Sequence, residues 1–278
     1  MLTLIAIRIL SFGGMSLLSL RVPFALSQSI FFATLFGHYV VQLVYSPRQL
    51  QEGLRPVAPW RLFALLGTFA LANYTRHLPM GLFFGVHFVF SELYTGELRA
   101  EGLLPFFSRA LTVSATYLLC CAGLPEFASL PRAALLAALL FGFAGLALSG
   151  RRHLGLLAYE AVGVPFALLL PQLGRSQLTD IIFVHLVFWF LYPLRRLRGQ
   201  ALVRYLAITA GLTGAFFAFT PASGLFDIGF PAWALLATLT GNVHITLSFA
   251  LSASNPGWVR ALFQPRAPAP LSFPVATP

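Results

Sequence analysis

Apolar residues fall along the chain in long blocks separated by short breaks that carry proline, glycine or arginine. The blocks lie at about 2–20, 24–45, 61–75, 80–95, 102–122, 131–149, 154–173, 178–194, 201–220 and 231–253. Each approaches the ~20 residues an α-helix needs to cross a bilayer. The third and fourth are the shortest, split by Arg76-His77-Leu78-Pro79. No internal repeat relates the blocks. The pattern predicts an all-α, polytopic transmembrane helical bundle of about eight to ten spans. It occupies residues 1–255 as one membrane domain, and 256–278 forms a proline-rich disordered tail containing RAPAPLSFPVATP. The opening MLTLIAIRIL lacks a basic n-region followed by a cleavage site and reads as a retained first span.

Composition agrees with that reading. The 278 residues are 58% hydrophobic and 9% charged, where a soluble domain carries about 25% charged residues. Mean hydropathy is +0.81. A soluble enzyme, a disordered chain and a disulfide scaffold are all excluded. Cys120 and Cys121 are adjacent inside an apolar run, which suits neither a staple nor a zinc knuckle.

The net charge of +10 rests on arginine alone, since the chain has no lysine. In a soluble protein such an excess would point to nucleic acid, but here the arginines concentrate in short connections. Ten spans put both termini on one side, together with the loops at 46–60, 96–101, 150–153 and 195–200. Those loops and the tail hold Arg48, Arg55, Arg99, Arg151, Arg152, Arg195, Arg196, Arg198, Arg260 and Arg266. The other side keeps Arg21, Arg76, Arg175, Glu126 and Asp227. Positive residues stay cytoplasmic, so both termini are expected in the cytoplasm, in a bacterial inner (plasma) membrane. No nucleic-acid partner is expected. Trp60, Trp233 and Trp258 sit near span ends, where the headgroup layer favours amphipathic rings.

Ionisable residues inside spans carry the candidate chemistry, because each costs at least a few kcal/mol there. They are His38, His87, Glu92, Glu160, His185 and His244, with Gln42, Tyr39, Asn73 and Asn242 as neutral company. Counted from the cytoplasmic ends, the four histidines and Glu160 lie about six to nine residues deep. At 1.5 Å per residue that is one layer roughly 9–14 Å below the surface. Imidazoles converging from several helices suit a first-row transition metal, with carboxylates or amides orienting each ring. Gln42 follows His38 by four residues and Glu92 follows His87 by five. A structural alternative for any single histidine is a helix–helix hydrogen bond.

These segments, in this order, resemble the Brp/Blh family of membrane β-carotene 15,15′-dioxygenases. GHYVVQ is similar to the family's first histidine segment at His38, and HFVFSE to its second at His87. Glu160, Gly163 and Pro171 followed by His185 resemble its glutamate–glycine–proline stretch, and Asn242-Val243-His244 its late histidine segment. The family's third histidine opens a His-x-x-x-His pair, and the second position here is Trp189. The family's two acids are Gln42 and Glu92 here, and both glycines after histidine are replaced.

The resemblance implies a non-haem Fe(II) oxygenase. Its iron ligands would be His38, His87, His185 and His244, with Glu160, Gln42 and Glu92 as supporting groups and Glu160 as an alternative ligand. Tyr39 and Trp189 would line the substrate pocket. The implied partners are a lipophilic polyene or isoprenoid from the bilayer, molecular oxygen and membrane lipids, and the implied product is retinal. A second class of function is a non-enzymatic membrane protein, binding haem through paired histidines or using the polar layer for transport.

Overall fold

A computed structural model describes residues 1–45, 58–74, 87–89, 91–93, 102–124, 127, 129–173, 178–226 and 228–251. Among them there is no strand; the protein is an all-α helical bundle. Its helices are α1 (Leu2–Arg21), α2 (Phe24–Tyr45), α3 (Pro59–Tyr74), α4 (Leu103–Cys121) and α5 (Arg132–Leu148), then α6 (Leu154–Ala161), α7 (Gly163–Leu169), α8 (Leu178–Leu191), α9 (Gly199–Phe217) and α10 (Phe230–Leu251). Residues 87–89 and 91–93 are also helical.

The breaks follow from local chemistry. Val22 is extended at φ −98° and ψ 133°, the conformation imposed on a residue that precedes proline, and α1 ends there. The predicted span at 154–173 is divided into α6 and α7. Pro165 lacks an N–H and its ring crowds the carbonyl four residues back, so the helix breaks around Val162. Glu160 sits in the last turn before this break.

Among the described residues, three segments are long and apolar enough to cross a membrane: Phe24–Tyr45, Leu103–Cys121 and Arg151–Gln172. Leu2–Leu18, Arg132–Leu148 and Ile181–Arg195 are shorter apolar helices. The surface is inverted relative to a soluble protein. Leu148 is 81% and Phe141 73% exposed, whereas Arg8 is 1% and Arg109 0% exposed. Apolar side chains turn outward and charges turn inward. Several hydroxyls within the bundle donate along their own helices: Ser11 to the Ile7 carbonyl, Thr34 to Ile30, Thr112 to Ser108 and Thr116 to Thr112.

α2 is central, packing against α8, α9 and α10, while α1 packs against α8 and α4 against α5. Small residues let α4 and α5 approach closely. A Cβ on Gly142 would fall on the Thr112 hydroxyl and lie 2.8 Å from the Ser108 carbonyl oxygen. Gly142→Ala must therefore push the helices apart. We expect a loss of about 1–3 kcal/mol, read as a lower midpoint of thermal unfolding in detergent; an unchanged midpoint would contradict this contact.

Trp233 departs from the sequence expectation. It is 3% exposed, packed against Phe32 and Phe36 at 5.8 and 5.0 Å between ring centroids, and donates its indole N–H to the Phe219 carbonyl. That internal acceptor replaces the headgroup layer as the polar partner. Trp60 is exposed as expected, and Trp258 and the tail lie outside the described residues.

Candidate metal centre

The four histidines predicted to share a depth converge from four separate segments: α2, residues 87–89, α8 and α10. Ring centroids are 5.1 Å apart for His38 and His244, 5.4 Å for His244 and His87, 5.2 Å for His87 and His185, and 6.1 Å for His185 and His38. The four pairs close into a quadrilateral. His87 and His185 are buried, and His38 and His244 are partly so.

Aromatic rings wall the cluster. Tyr39 lies 4.6 Å from His244, Phe88 4.6 Å from His185, Phe190 6.0 Å from His38 and Trp189 6.2 Å from His185. Trp189 thus occupies the helical turn after His185, as its spacing of four residues requires.

The donor set can be tested for metal. Two imidazoles bound to one ion through nitrogen at about 2.1 Å, at a tetrahedral angle, would place their centroids about 5 Å apart. His38–His244, His87–His185 and His87–His244 at 5.1, 5.2 and 5.4 Å match that spacing, His38–His185 at 6.1 Å is wider, and imidazole nitrogen is a ligand type that first-row metals accept. Among the described residues, no three His, Cys, Asp or Glu side chains yet form a group able to hold one ion. The rings would have to turn about their χ angles to share one.

Beside the histidines lies a second polar cluster, built from α1, α4, α6 and Glu92. Arg8 of α1 donates to Glu92 at 2.5 Å and to Glu160 of α6 at 3.0 Å. Arg109 of α4 donates through Nε to Glu160 at 2.8 Å. Its Nη2 lies 3.9 Å from Glu92, and its Nη1 donates to the Leu93 carbonyl at 3.4 Å. Tyr117 and Tyr159 donate their hydroxyls to Glu92 at 3.1 and 3.2 Å. The Arg8 guanidinium also stands 4.5 Å from the Tyr159 ring centroid. All six side chains are buried. Two positive and two negative charges cancel within the cluster, so their burial leaves no net charge in a low dielectric.

The structure gives the three residues expected in supporting roles, Glu160, Glu92 and Gln42, surroundings other than the histidine rings. Both Glu160 oxygens accept from guanidinium groups. Glu160 belongs to the ion-pair cluster, and its oxygens are committed to arginine rather than left open to a metal. Glu92 likewise accepts from Arg8, Tyr117 and Tyr159. Gln42 is exposed in the last turn of α2. Four residues on from His38 carries it past the packed part of that helix. Asn242 is buried next to His244, and His77 lies outside the described residues.

Sequence reasoning missed Arg8, Arg109, Tyr117 and Tyr159. A signal was present: Arg8 and Arg109 sit inside apolar blocks, and so do Glu92 and Glu160. Intramembrane charges of opposite sign seek each other.

The chain is thus an all-α bundle with a histidine cluster on one set of helices and a neutral ion-pair cluster on another. Compared with family models, curated proteins and solved structures, it matches none of them.

Proposed function

We propose that this chain is an integral membrane non-haem iron oxygenase acting on a long apolar polyene or isoprenoid. The observation that carries the proposal is the convergence of four imidazole rings from four separate segments at 5.1–6.1 Å. A structural role accounts for one buried histidine or two, but four in a closed ring of neighbours are best explained by a shared ligand. His38, His87, His185 and His244 would hold Fe(II). When bound, the iron supplies the dioxygen chemistry that protein side chains lack.

The chain's own residues bind and orient the substrate. An open groove of about 340 Å³ between α2, α8 and α9 is lined by Thr34, Phe183, Val187, Phe190 and Leu206 among others. Phe190 also faces His38, so one wall of the groove borders the histidine cluster. An apolar chain dissolved in the bilayer would enter here without crossing water. Tyr39, Phe88 and Trp189 then hold it against the rings and keep water out. The resemblance to the Brp/Blh family makes β-carotene the first substrate to try. Splitting its central double bond with one dioxygen puts one oxygen atom on each of two retinal molecules and consumes no reductant.

The inverted surface supports membrane insertion, and the arginine distribution supports cytoplasmic termini in a bacterial inner (plasma) membrane. Reporter fusions at Ser46 and Arg196 are expected to report the same side as the C-terminus, and one at Asp227 the opposite side. A C-terminus on the outer side would contradict the ten-span topology. Elemental analysis of the purified protein tests the function itself. Iron without a Soret band is expected; a Soret band would indicate haem, and no metal would remove the oxygenase reading.

A further inference from the structure

The histidine cluster and the ion-pair cluster use different helices. His38, His185 and His244 come from α2, α8 and α10, whereas Arg8, Arg109, Tyr117, Tyr159 and Glu160 come from α1, α4 and α6. Among the described residues, the stretch 87–93 alone contributes to both, through His87 at one end and Glu92 at the other. Phe88 fills the gap between them, its ring 4.6 Å from His185 and 6.0 Å from Tyr117.

One residue advances a helix by about 1.5 Å and turns it by about 100°, so a one-residue shift would turn His87 away from the quadrilateral. Glu92 is held against such a shift by three donors from three helices: Arg8, Tyr117 and Tyr159. The Leu93 carbonyl is held by Arg109. A packing role alone would not require two full ion pairs, since apolar residues of similar volume stabilise a buried site as well or better. Buried charges are better suited to selecting one register.

We infer that Glu92, anchored by Arg8, Tyr117 and Tyr159, is a positioning residue that sets the register of residues 91–93 and so places His87 in the histidine site. Arg8 is one of three donors to Glu92, and Glu92 itself touches no reacting atom. This inference rests on the reading of the four histidines as a metal site. Groups outside a metal's ligands that orient them are typically worth 10–100-fold in metal affinity.

The test titrates the detergent-purified 278-residue chain with Co(II), whose visible band is intense when the ion is four-coordinate and weak when water raises its coordination number. Two charge-balanced double variants are compared. Arg8→Met with Glu92→Gln deletes the charged anchor of the stretch. Arg8→Met with Glu160→Gln removes the same arginine and an equal negative charge but leaves Glu92 facing Arg109, Tyr117 and Tyr159. The first is expected to weaken Co(II) binding about 10–100-fold and to lower the intensity of the visible band, as His87 leaves the ion. The second is expected to change affinity only a few-fold and to keep the wild-type spectrum. Equal losses in the two variants, or no loss in either, would overturn the inference, whatever their unfolding temperatures. Should the double variants fail to fold, Tyr117→Phe removes a single hydroxyl from Glu92. It should weaken Co(II) binding several-fold, and an unchanged affinity would count against the inference. Wild-type protein that binds no Co(II) would instead refute the metal site, a different and distinguishable failure.

Discussion

Replacing Arg8 by methionine is expected to be the most destabilising single change in the bundle. The guanidinium satisfies one oxygen of Glu92 and one of Glu160, both buried. Removing it leaves two carboxylates with Arg109 as the cluster's one remaining positive charge, in surroundings that cannot solvate the excess. Breaking a buried pair on one side typically costs about 3–5 kcal/mol, against a total stability of about 5–15 kcal/mol. Folded Arg8→Met protein should therefore be scarce, with a markedly lowered unfolding midpoint in detergent. Adding Glu92→Gln restores charge balance and should recover much of the loss. A single variant within about 1 kcal/mol of wild type would show that the ion pairs are replaceable by solvent.

The same residues show what the sequence could and could not convey. Most helix limits were legible because prolines, glycines and arginines punctuate the apolar blocks, and α2 coincides with its predicted span at 24–45. The break between α6 and α7 was not foreseen, since a hydropathy average sees Pro165 as one residue among twenty. Averaging also hid Arg8 and Arg109, each a lone charge in an apolar run.

The histidines were legible because depth along a helix scales simply with residue number. Rotation about the helix axis and the packing of neighbours do not. Gln42 shares roughly the face of His38 but extends beyond its neighbours into exposure. Glu160 shares the histidines' predicted depth, yet its oxygens bond to Arg8 and Arg109. Trp233 was assigned to an interface from its place near a span end, whereas tertiary packing buried it against Phe36.

The second large effect concerns His244 and Trp189. Trp189 cannot replace a ligand, because the indole nitrogen only donates. Its ring stands against His185 at 6.2 Å as part of the wall. His244 contacts both His38 and His87, which makes it the fourth member of the cluster. His244→Ala should thus lose iron nearly as completely as His38→Ala or His87→Ala. The loss should exceed the 10–100-fold expected for supporting groups. Trp189→Ala should retain iron and alter only which apolar substrates are cleaved. Iron fully retained in His244→Ala would leave a three-histidine site, and Trp189→His should then raise affinity.

Iron content measured by elemental analysis on the purified wild-type chain and on His87→Ala bears most directly on the proposed function. About one iron per wild-type chain, and almost none in the variant, is the expected result for a site that depends on every imidazole. Wild type without iron, or equal iron in both proteins, would contradict it.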